Sequence, residues 1–123
     1  MCQTCEVPTS DKGRSNHMTH QRFARLKLIL GDEGLEKLAG ATVMVTGLGG
    51  VGSSCAEALA RGGVGTLILI DRDVIEESNI NRQALAFVST VGKVKAQVME
   101  AMVADINPDC TTSVSYTHLT LPT

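Results

Sequence analysis

The sequence predicts an α/β protein in which helices flank a parallel β-sheet. Two short apolar runs rich in β-branched residues, ATVMVTG from Ala41 and GTLILID from Gly65, predict two strands. A glycine-rich turn and a helical pattern separate them, so strand, turn, helix and strand form one right-handed crossover unit. The second run is continuously apolar, which is typical of a strand covered by helices on both faces.

The segment before the first strand predicts two short helices. Its apolar residues are Leu26, Leu28, Ile29, Leu30, Leu35 and Leu38. The pair Gly31–Asp32 interrupts this pattern, and Asp32 is a suitable N-cap for the second helix. Residues 1–20 are polar and show no apolar periodicity, so we expect a flexible tail there.

Two more helices and a third strand complete the predicted half-sheet, a βαβαβ unit. The helix after the glycine turn is expected from about Gly52 to Arg61, where two glycines stop it. The next helix is indicated by an apolar stripe at Val94, Val98, Met102 and Ile106. The dipeptide Asn-Pro then ends this helix, and the third strand should start near Thr111. Cys55 and Cys110 fall in patterns that predict burial in the core.

Composition and charge exclude several classes of function. A formal net charge of −2 gives no general attraction to nucleic acid or to an anionic membrane, although residues 11–30 have a local excess of basic side chains. The chain has no membrane-length apolar run and no signal peptide, which predicts a cytoplasmic protein without a membrane partner. The CxxC of Cys2 and Cys5 lacks a second pair of zinc ligands unless His17 and His20 supply it, so no metal-binding residue is assigned.

The stretch TGLGGVGS follows the first predicted strand and opens a helix, the setting in which GxGxxG binds phosphate. Gly47 permits a tight turn, Gly49 lets a phosphate approach the backbone, and Gly52 lets the helix pack closely on the strand. Gly50 lies in the same loop. Free N–H groups and the positive end of the helix favour an anion there. The loop makes the predicted fold Rossmann-like.

Further polar residues indicate a nucleotide without deciding which one. Asp71 closes the second strand, where an acid can bind ribose hydroxyls. Asn79, Arg82 and Gln83 follow on an irregular loop, and Lys95 belongs to the next helix. Two cations and two amides suit a triphosphate, because its charge must be neutralised during attack, whereas hydride transfer has no such need. These residues favour ATP over NAD and leave NAD open.

The motifs GLGGVGS, LILIDRDVIEESNINRQ, VGKVKA and INP together resemble the E1-like activating superfamily. That superfamily contains the ubiquitin-activating enzymes and the adenylyltransferases of thiamine and molybdopterin synthesis. Within it, RFARLKLILGDEGLEKL, GVGSSCAEALARGGVGTLILIDRD and NINRQ are most similar to the tRNA threonylcarbamoyladenosine dehydratases. The resemblance runs from about Gln21 to Cys110.

The resemblance implies roles for individual residues. The loop from Gly47 to Gly52 would hold ATP, and Asp71 would hold its ribose. The triphosphate would be surrounded by Asn79, Gln83, Arg82 and Lys95, of which Arg82 and Lys95 would act on the transferring phosphate. Arg25 matches an arginine that in relatives reaches the nucleotide of the partner subunit, which implies a homodimer. Asp73 matches a position near the site that has no settled role.

The resemblance also implies a reaction. A substrate carboxylate attacks the α-phosphate of Mg-ATP, which releases pyrophosphate and leaves an acyl-adenylate. In the dehydratases the carboxylate belongs to the threonylcarbamoyl group on adenosine 37 of tRNA, and closure by its own carbamoyl group expels AMP. Three alternatives stay open: activation of a ubiquitin-like sulfur carrier together with a sulfur-transfer protein, an NAD-binding oxidoreductase module, and a non-catalytic nucleotide-binding protein.

The end of the chain departs from the family pattern. Relatives place a magnesium-binding aspartate beyond the last residue of this chain, and VSYTHLTLPT resembles translated adapter sequence joined to a truncated reading frame. We therefore expect a flexible tail at residues 1–20, a truncated ATP-binding domain at 21–113 and a non-family tail at 114–123. Such a fragment is expected to bind ATP weakly and not to turn over.

Overall fold

A computed structural model describes residues 21–116, and its fold is built on three parallel strands in the order β1-β2-β3. The strands are β1 (Thr42–Thr46), β2 (Thr66–Ile70) and β3 (Thr111–Ser115). Their first residues lie side by side in the sheet register. The predicted α/β class, the parallel Rossmann-like sheet and the start of the third strand are confirmed.

The described residues form three α-helices: α1 (Ala24–Ala39), α2 (Gly50–Arg61) and α3 (Lys95–Ile106). Short 3-10 turns occupy Gln21–Phe23, Glu77–Asn79 and Val88–Thr90. Two helical segments make up α1, because Gly31 between them has φ +67° and ψ 177°.

The break in α1 occurs where the sequence predicts it, at a φ that glycine adopts readily. The expected N-cap at Asp32 is wrong. Within residues 21–116 no backbone N–H donates to its carboxylate, which instead forms an exposed ion pair with Lys27 at 3.0 Å.

The core lies between one face of the sheet and the two helices α2 and α3. Its fully buried side chains include Leu67 and Leu69 of β2, Ala56 and Ala60 of α2, and Met99 and Val103 of α3. On the other face Met44 is 53% exposed. The expectation that helices cover both faces is therefore wrong for the described residues, because α2 and α3 pack side by side against the same face.

The buried face of α3 differs from the predicted stripe. Met99 and Val103 are fully buried, whereas Met102 and Ile106 are half-buried. The buried face differs because α3 contacts α2 as well as the strands β2 and β3. The residues of α3 that face both α2 and the sheet are therefore the most deeply buried. Cys55 is exposed, which makes its predicted burial wrong: the buried stripe of α2 is Ser53, Ala56 and Ala60. Cys110 is half-buried at the edge of the core.

The start of α1 lies at the amino end of the sheet. The ring of Phe23 packs against Gly63, which precedes β2. The guanidinium of Arg22 donates to Asn107 and forms an ion pair with Asp109, both of which precede β3. The glycine turn follows β1 and therefore lies at the opposite, carboxyl edge of the sheet.

Candidate nucleotide-binding site

The glycine loop, residues 47–52, connects β1 to α2 as predicted. Gly47 has φ +83°, and its N–H donates to the carbonyl of Ile70 at 2.8 Å. At Gly52 an added Cβ would lie 1.7 Å from the carbonyl oxygen of Gly47, so no side chain fits there. No side chain caps the first turn of α2, which leaves its first N–H groups available to an anion.

The Asp71 carboxylate is tied to the backbone on both sides. Oδ2 accepts the N–H of Leu48 at 2.7 Å, and Oδ1 accepts the N–H of Asp73 at 2.7 Å. A carboxylate offers about four acceptor positions, so each oxygen keeps capacity for a further donor such as a ribose hydroxyl. Asp71 therefore anchors the glycine loop and stays able to bind a ligand.

A compact turn places Asn79, Arg82 and Gln83 near the loop. The Asn79 side-chain oxygen accepts the N–H of Glu76 at 2.9 Å, and its carbonyl accepts the N–H groups of Arg82 and Gln83 at 3.2 and 3.0 Å. Gln83 is only 7% exposed, and its Nε2 lies 3.9 Å from the point where a Cβ of Gly49 would be. Its Oε1 is buried and has no hydrogen-bond partner within residues 21–116.

Arg82 lies against the glycine loop with its backbone and reaches solvent with its side chain. Its carbonyl oxygen is 3.6 Å from the position of a Cβ on Gly50. Its Nη1 donates to the carbonyl of Ser78 and to Oδ1 of Asn81, both at 3.0 Å. The guanidinium is thus held by its own turn and keeps further N–H groups for an anion.

Lys95 is the first residue of α3, and little of its surface is exposed. Its residue exposure is 7%, and its backbone N–H donates to the carbonyl of Asp73 at 3.0 Å. Within the described residues no carboxylate forms an ion pair with its ammonium. The positive end of a helix dipole disfavours a cation. The position is therefore unfavourable for the free protein and suited to a bound anion.

Three hydrogen bonds join these parts. The backbone N–H groups of Leu48 and Asp73 donate to the Asp71 carboxylate, and the backbone N–H of Lys95 donates to the backbone carbonyl of Asp73. These bonds link the glycine loop, the end of β2 and the start of α3. The structure thus gathers at the carboxyl edge of the sheet all predicted site residues but one: Gly47, Gly49, Gly50, Gly52, Asp71, Asn79, Arg82, Gln83 and Lys95.

Arg25 is not brought to this edge. It is exposed on the first segment of α1, two residues after Phe23, which packs at the amino end of the sheet. A role at the nucleotide of a partner subunit stays a prediction.

Sequence reasoning missed Ser53, a fully buried residue of α2. Its Oγ donates to the carbonyl of Gly49 at 2.5 Å and accepts the N–H of Ala84 at 3.2 Å. In helices a serine hydroxyl can donate a hydrogen bond to the backbone carbonyl four residues earlier. The spacing between Gly49 and Ser53 was therefore a signal in the sequence for the first of these two bonds. The contact with Ala84 depends on tertiary packing and has no signal in the sequence.

Two absences concern only residues 21–116. In that part of the chain no three His, Cys, Asp or Glu side chains are grouped as metal ligands. No helix there has the length and apolar character needed to cross a bilayer. The CxxC of Cys2 and Cys5 and the residues from 117 onward lie outside the described residues.

The chain belongs to the ThiF family, whose model matches residues 20–121. It is 55% identical over 93 residues to the tRNA threonylcarbamoyladenosine dehydratase of Bacillus subtilis, covering 76% of this chain and 36% of that protein. It is 42% identical over 89 residues to the probable adenylyltransferase/sulfurtransferase MoeZ of Mycobacterium tuberculosis, covering 71% of this chain and 23% of that protein. The chain thus spans about a third or less of the length of these curated relatives.

The fold is also that of a solved relative. The crystal structure of the Escherichia coli tRNA N6-threonylcarbamoyladenosine dehydratase in complex with ATP superposes with a TM-score of 0.80 at 43% sequence identity. The superposition covers 81% of this chain and 41% of that chain. The family resemblance drawn from the motifs is confirmed.

Proposed function

We propose that this chain binds ATP at the carboxyl edge of the sheet and forms the nucleotide-binding part of an enzyme that adenylates a carboxylate. The observation that carries this proposal is Lys95, a lysine with little exposed surface at a helix N-terminus, whose ammonium has no ion-pair partner in the described residues. A polyphosphate supplies the negative charge that this position lacks. The ATP complex of the E. coli relative supports the choice of ligand.

Each residue has a chemical task in the proposed complex. The N–H groups of the glycine loop bind phosphate oxygens, and Asp71 accepts hydrogen bonds from the ribose hydroxyls. Asn79 holds the turn that presents Gln83 and Arg82 beside the loop. Arg82 and Lys95 stabilise the charge that develops on the phosphate under attack.

Magnesium enters the proposal with the nucleotide. Within residues 21–116 the structure groups no set of three ligands for a metal ion, so the triphosphate oxygens would provide most of its coordination. The ion would add positive charge at the phosphates, and this chain's contribution is to hold the nucleotide in place.

The substrate we favour is the threonylcarbamoyl group of adenosine 37 in tRNA, activated for cyclisation with loss of AMP. The 55% identity to the B. subtilis dehydratase supports this choice. Activation of a ubiquitin-like sulfur carrier is the second candidate, since the 42% identity to MoeZ covers nearly the same stretch. In either case we propose a cytoplasmic homodimer. The boundaries predicted at residues 20 and 113 stay predictions.

A titration of the chain with Mg-ATP and with NAD tests the choice of nucleotide. We expect Mg-ATP to bind more tightly, because Arg82 and Lys95 add two positive charges near the phosphates. Tighter binding of NAD would contradict the assignment of both residues and favour an oxidoreductase module.

A segment exchange tests the choice of substrate. Residues 21–110 would replace the matching segment in the B. subtilis dehydratase and in MoeZ, with each parent enzyme as its own reference. We expect the chimera with the dehydratase to retain the larger fraction of its parent's activity, measured as ATP-dependent loss of water from the modified nucleoside of tRNA. Better retention in MoeZ, measured as carrier adenylation, would favour the second candidate. A Lys95→Met version of each chimera serves as the inactive control.

A further inference from the structure

We propose that Ser53 is a positioning residue that sets the separation between the glycine loop and the Arg82–Gln83 pair. The proposal deepens the proposed function and rests on it, since the separation matters because phosphate would bind between these two segments. Ser53 would not itself contact the nucleotide.

The geometry places Ser53 between the two segments. Its Oγ donates to the carbonyl of Gly49 in the loop and accepts the N–H of Ala84, the residue after Gln83. A single hydroxyl thus joins the loop to a residue that lies 31 positions after Ser53 in the sequence. The side chain is fully buried, so water does not compete for either bond.

The segments on both sides of the bridge are in close contact. The position of a Cβ on Gly50 is 3.6 Å from the Arg82 carbonyl, and that of a Cβ on Gly49 is 3.9 Å from Nε2 of Gln83. A small movement of either segment therefore changes the distance between the loop N–H groups and the Gln83 amide. Positioning within about 0.5 Å is the tolerance expected of such a site.

Of the two backbone groups that Ser53 Oγ contacts, one has a second hydrogen-bond partner and the other does not. The Gly49 carbonyl also accepts the Ser53 backbone N–H at 3.0 Å, so it keeps a partner when the hydroxyl is removed. The Ala84 N–H has no other acceptor within residues 21–116. Removing the hydroxyl should therefore release the Ala84 side first, and with it the Arg82–Gln83 pair.

The test compares Ser53→Ala with Ser54→Ala, a matched control at the exposed neighbouring position of α2. Titrations with ATP and with adenosine are made on the full chain. We expect Ser53→Ala to weaken ATP by roughly tenfold and adenosine by less than about twofold, because only the phosphates lie between the two segments. Ser54→Ala should change neither. Equal losses for ATP and adenosine would overturn the positioning role and indicate general destabilisation.

A measurement without ligand tests the bridge itself. Hydrogen exchange of the Ala84 amide should accelerate in Ser53→Ala, accelerate less in Ser53→Cys, whose thiol is a weaker acceptor, and stay slow in Ser54→Ala. Unchanged exchange in Ser53→Ala would overturn the proposal. If Ser53→Ala fails to fold, Ser53→Cys takes its place in the titration, where ATP should weaken more than adenosine; equal losses overturn the role.

The same titrations distinguish failure of this proposal from failure of the proposed function. If the wild-type chain binds no ATP, the proposed function fails and the role of Ser53 fails with it. If the wild-type chain binds ATP and Ser53→Ala binds it equally well, only the role of Ser53 is overturned.

Discussion

The backbone N–H of Leu48 donates to Oδ2 of Asp71 at 2.7 Å, and this bond fastens the glycine loop to the end of β2. The other carboxylate oxygen accepts the N–H of Asp73. Hydrogen bonds to an ionised acceptor are about twice as strong as neutral ones. The acid that the sequence predicts as a ribose ligand thus also shapes the loop that is predicted to hold the phosphates.

Asp71→Ala should weaken ATP more than it weakens pyrophosphate. Loss of the ribose contacts removes hydrogen bonds to a charged group, worth about 1.5–3 kcal/mol, or roughly 10- to 100-fold in affinity. Pyrophosphate should lose less, because only the anchoring of the loop affects it. Calorimetric titration measures both, with Asp105→Ala, an exposed carboxylate of α3, as the control. Equal losses for the two ligands would remove the ribose role and leave Asp71 as a loop anchor.

Gly52→Ala and Gly49→Ala should separate folding from binding. A Cβ at position 52 would lie 1.7 Å from the Gly47 carbonyl, so the start of α2 must move and the melting temperature should fall. A Cβ at position 49 has nothing closer than 3.9 Å, so the fold should be kept. It would nevertheless occupy the space through which a phosphate approaches the loop. Thermal melting and ATP titration test both variants, and a stable Gly52→Ala chain would contradict the first expectation.

The sequence predicts the strands and the glycine loop well because local chemistry determines them. β-branched runs form strands. At Gly52 a backbone carbonyl oxygen occupies the space that a Cβ would need, so only glycine fits there. The burial of Cys55 and the N-cap at Asp32 were wrong because side-chain direction and pairing depend on neighbours in space. The bridge made by Ser53 was missed for the same reason, since Ala84 is far from it in the chain.

The uncovered face of the sheet shows a second limit of sequence reasoning. A continuously apolar strand predicts helices on both faces, and β2 is continuously apolar. Leu67 and Leu69 are fully buried, whereas Ile68 and Ile70 on the other face are half-buried. The pattern therefore reports what the strand can bury, while the packing of the described helices decides which face is buried.

Arg25→Ala should leave the fold unchanged and weaken ATP only when the chain is dimeric. Arg25 is exposed and follows Phe23, which packs at the end of the sheet opposite the gathered site residues, so we expect its charge to act on the nucleotide of a partner subunit. We expect the wild-type chain to bind ATP more tightly as protein concentration drives dimer formation, and Arg25→Ala to lose that dependence. Analytical ultracentrifugation with and without ATP follows the assembly, and Lys37→Ala on the same helix is the control. Loss of ATP affinity at concentrations where the chain is monomeric would contradict this assignment.

Iodoacetamide should alkylate Cys55 before Cys110. Burial raises the pKa of the Cys110 thiol, although a hydrogen bond from the backbone of Leu67 opposes the shift. A raised pKa leaves less thiolate at a given pH, and the thiolate is the reactive form. Cys55 is exposed. Mass spectrometry of the alkylated peptides near pH 8 measures the order, and the difference should shrink as the pH rises towards the pKa of Cys110. Unfolding the chain in urea should make the two rates equal.

Lys95→Met should stabilise the free chain slightly and weaken its binding of ATP. Little of Lys95 is exposed at the N-terminus of α3, and its ammonium has no ion-pair partner in the described residues, so the free protein carries an unfavourable helix-dipole interaction. The dipole contribution alone is about 0.3–1 kcal/mol. Methionine has a similar length and no charge, so we expect an equal or higher melting temperature.

ATP affinity of the same Lys95→Met chain should fall by roughly tenfold or more, because a charge-assisted hydrogen bond to phosphate is lost. Lys93→Met, at an exposed lysine two positions earlier, should change neither quantity. Opposite signs for stability and affinity are the specific signature of a cation placed for a ligand. A destabilised Lys95→Met chain with unchanged ATP affinity would show that the side chain serves the fold, and the nucleotide role of Lys95 would then be wrong.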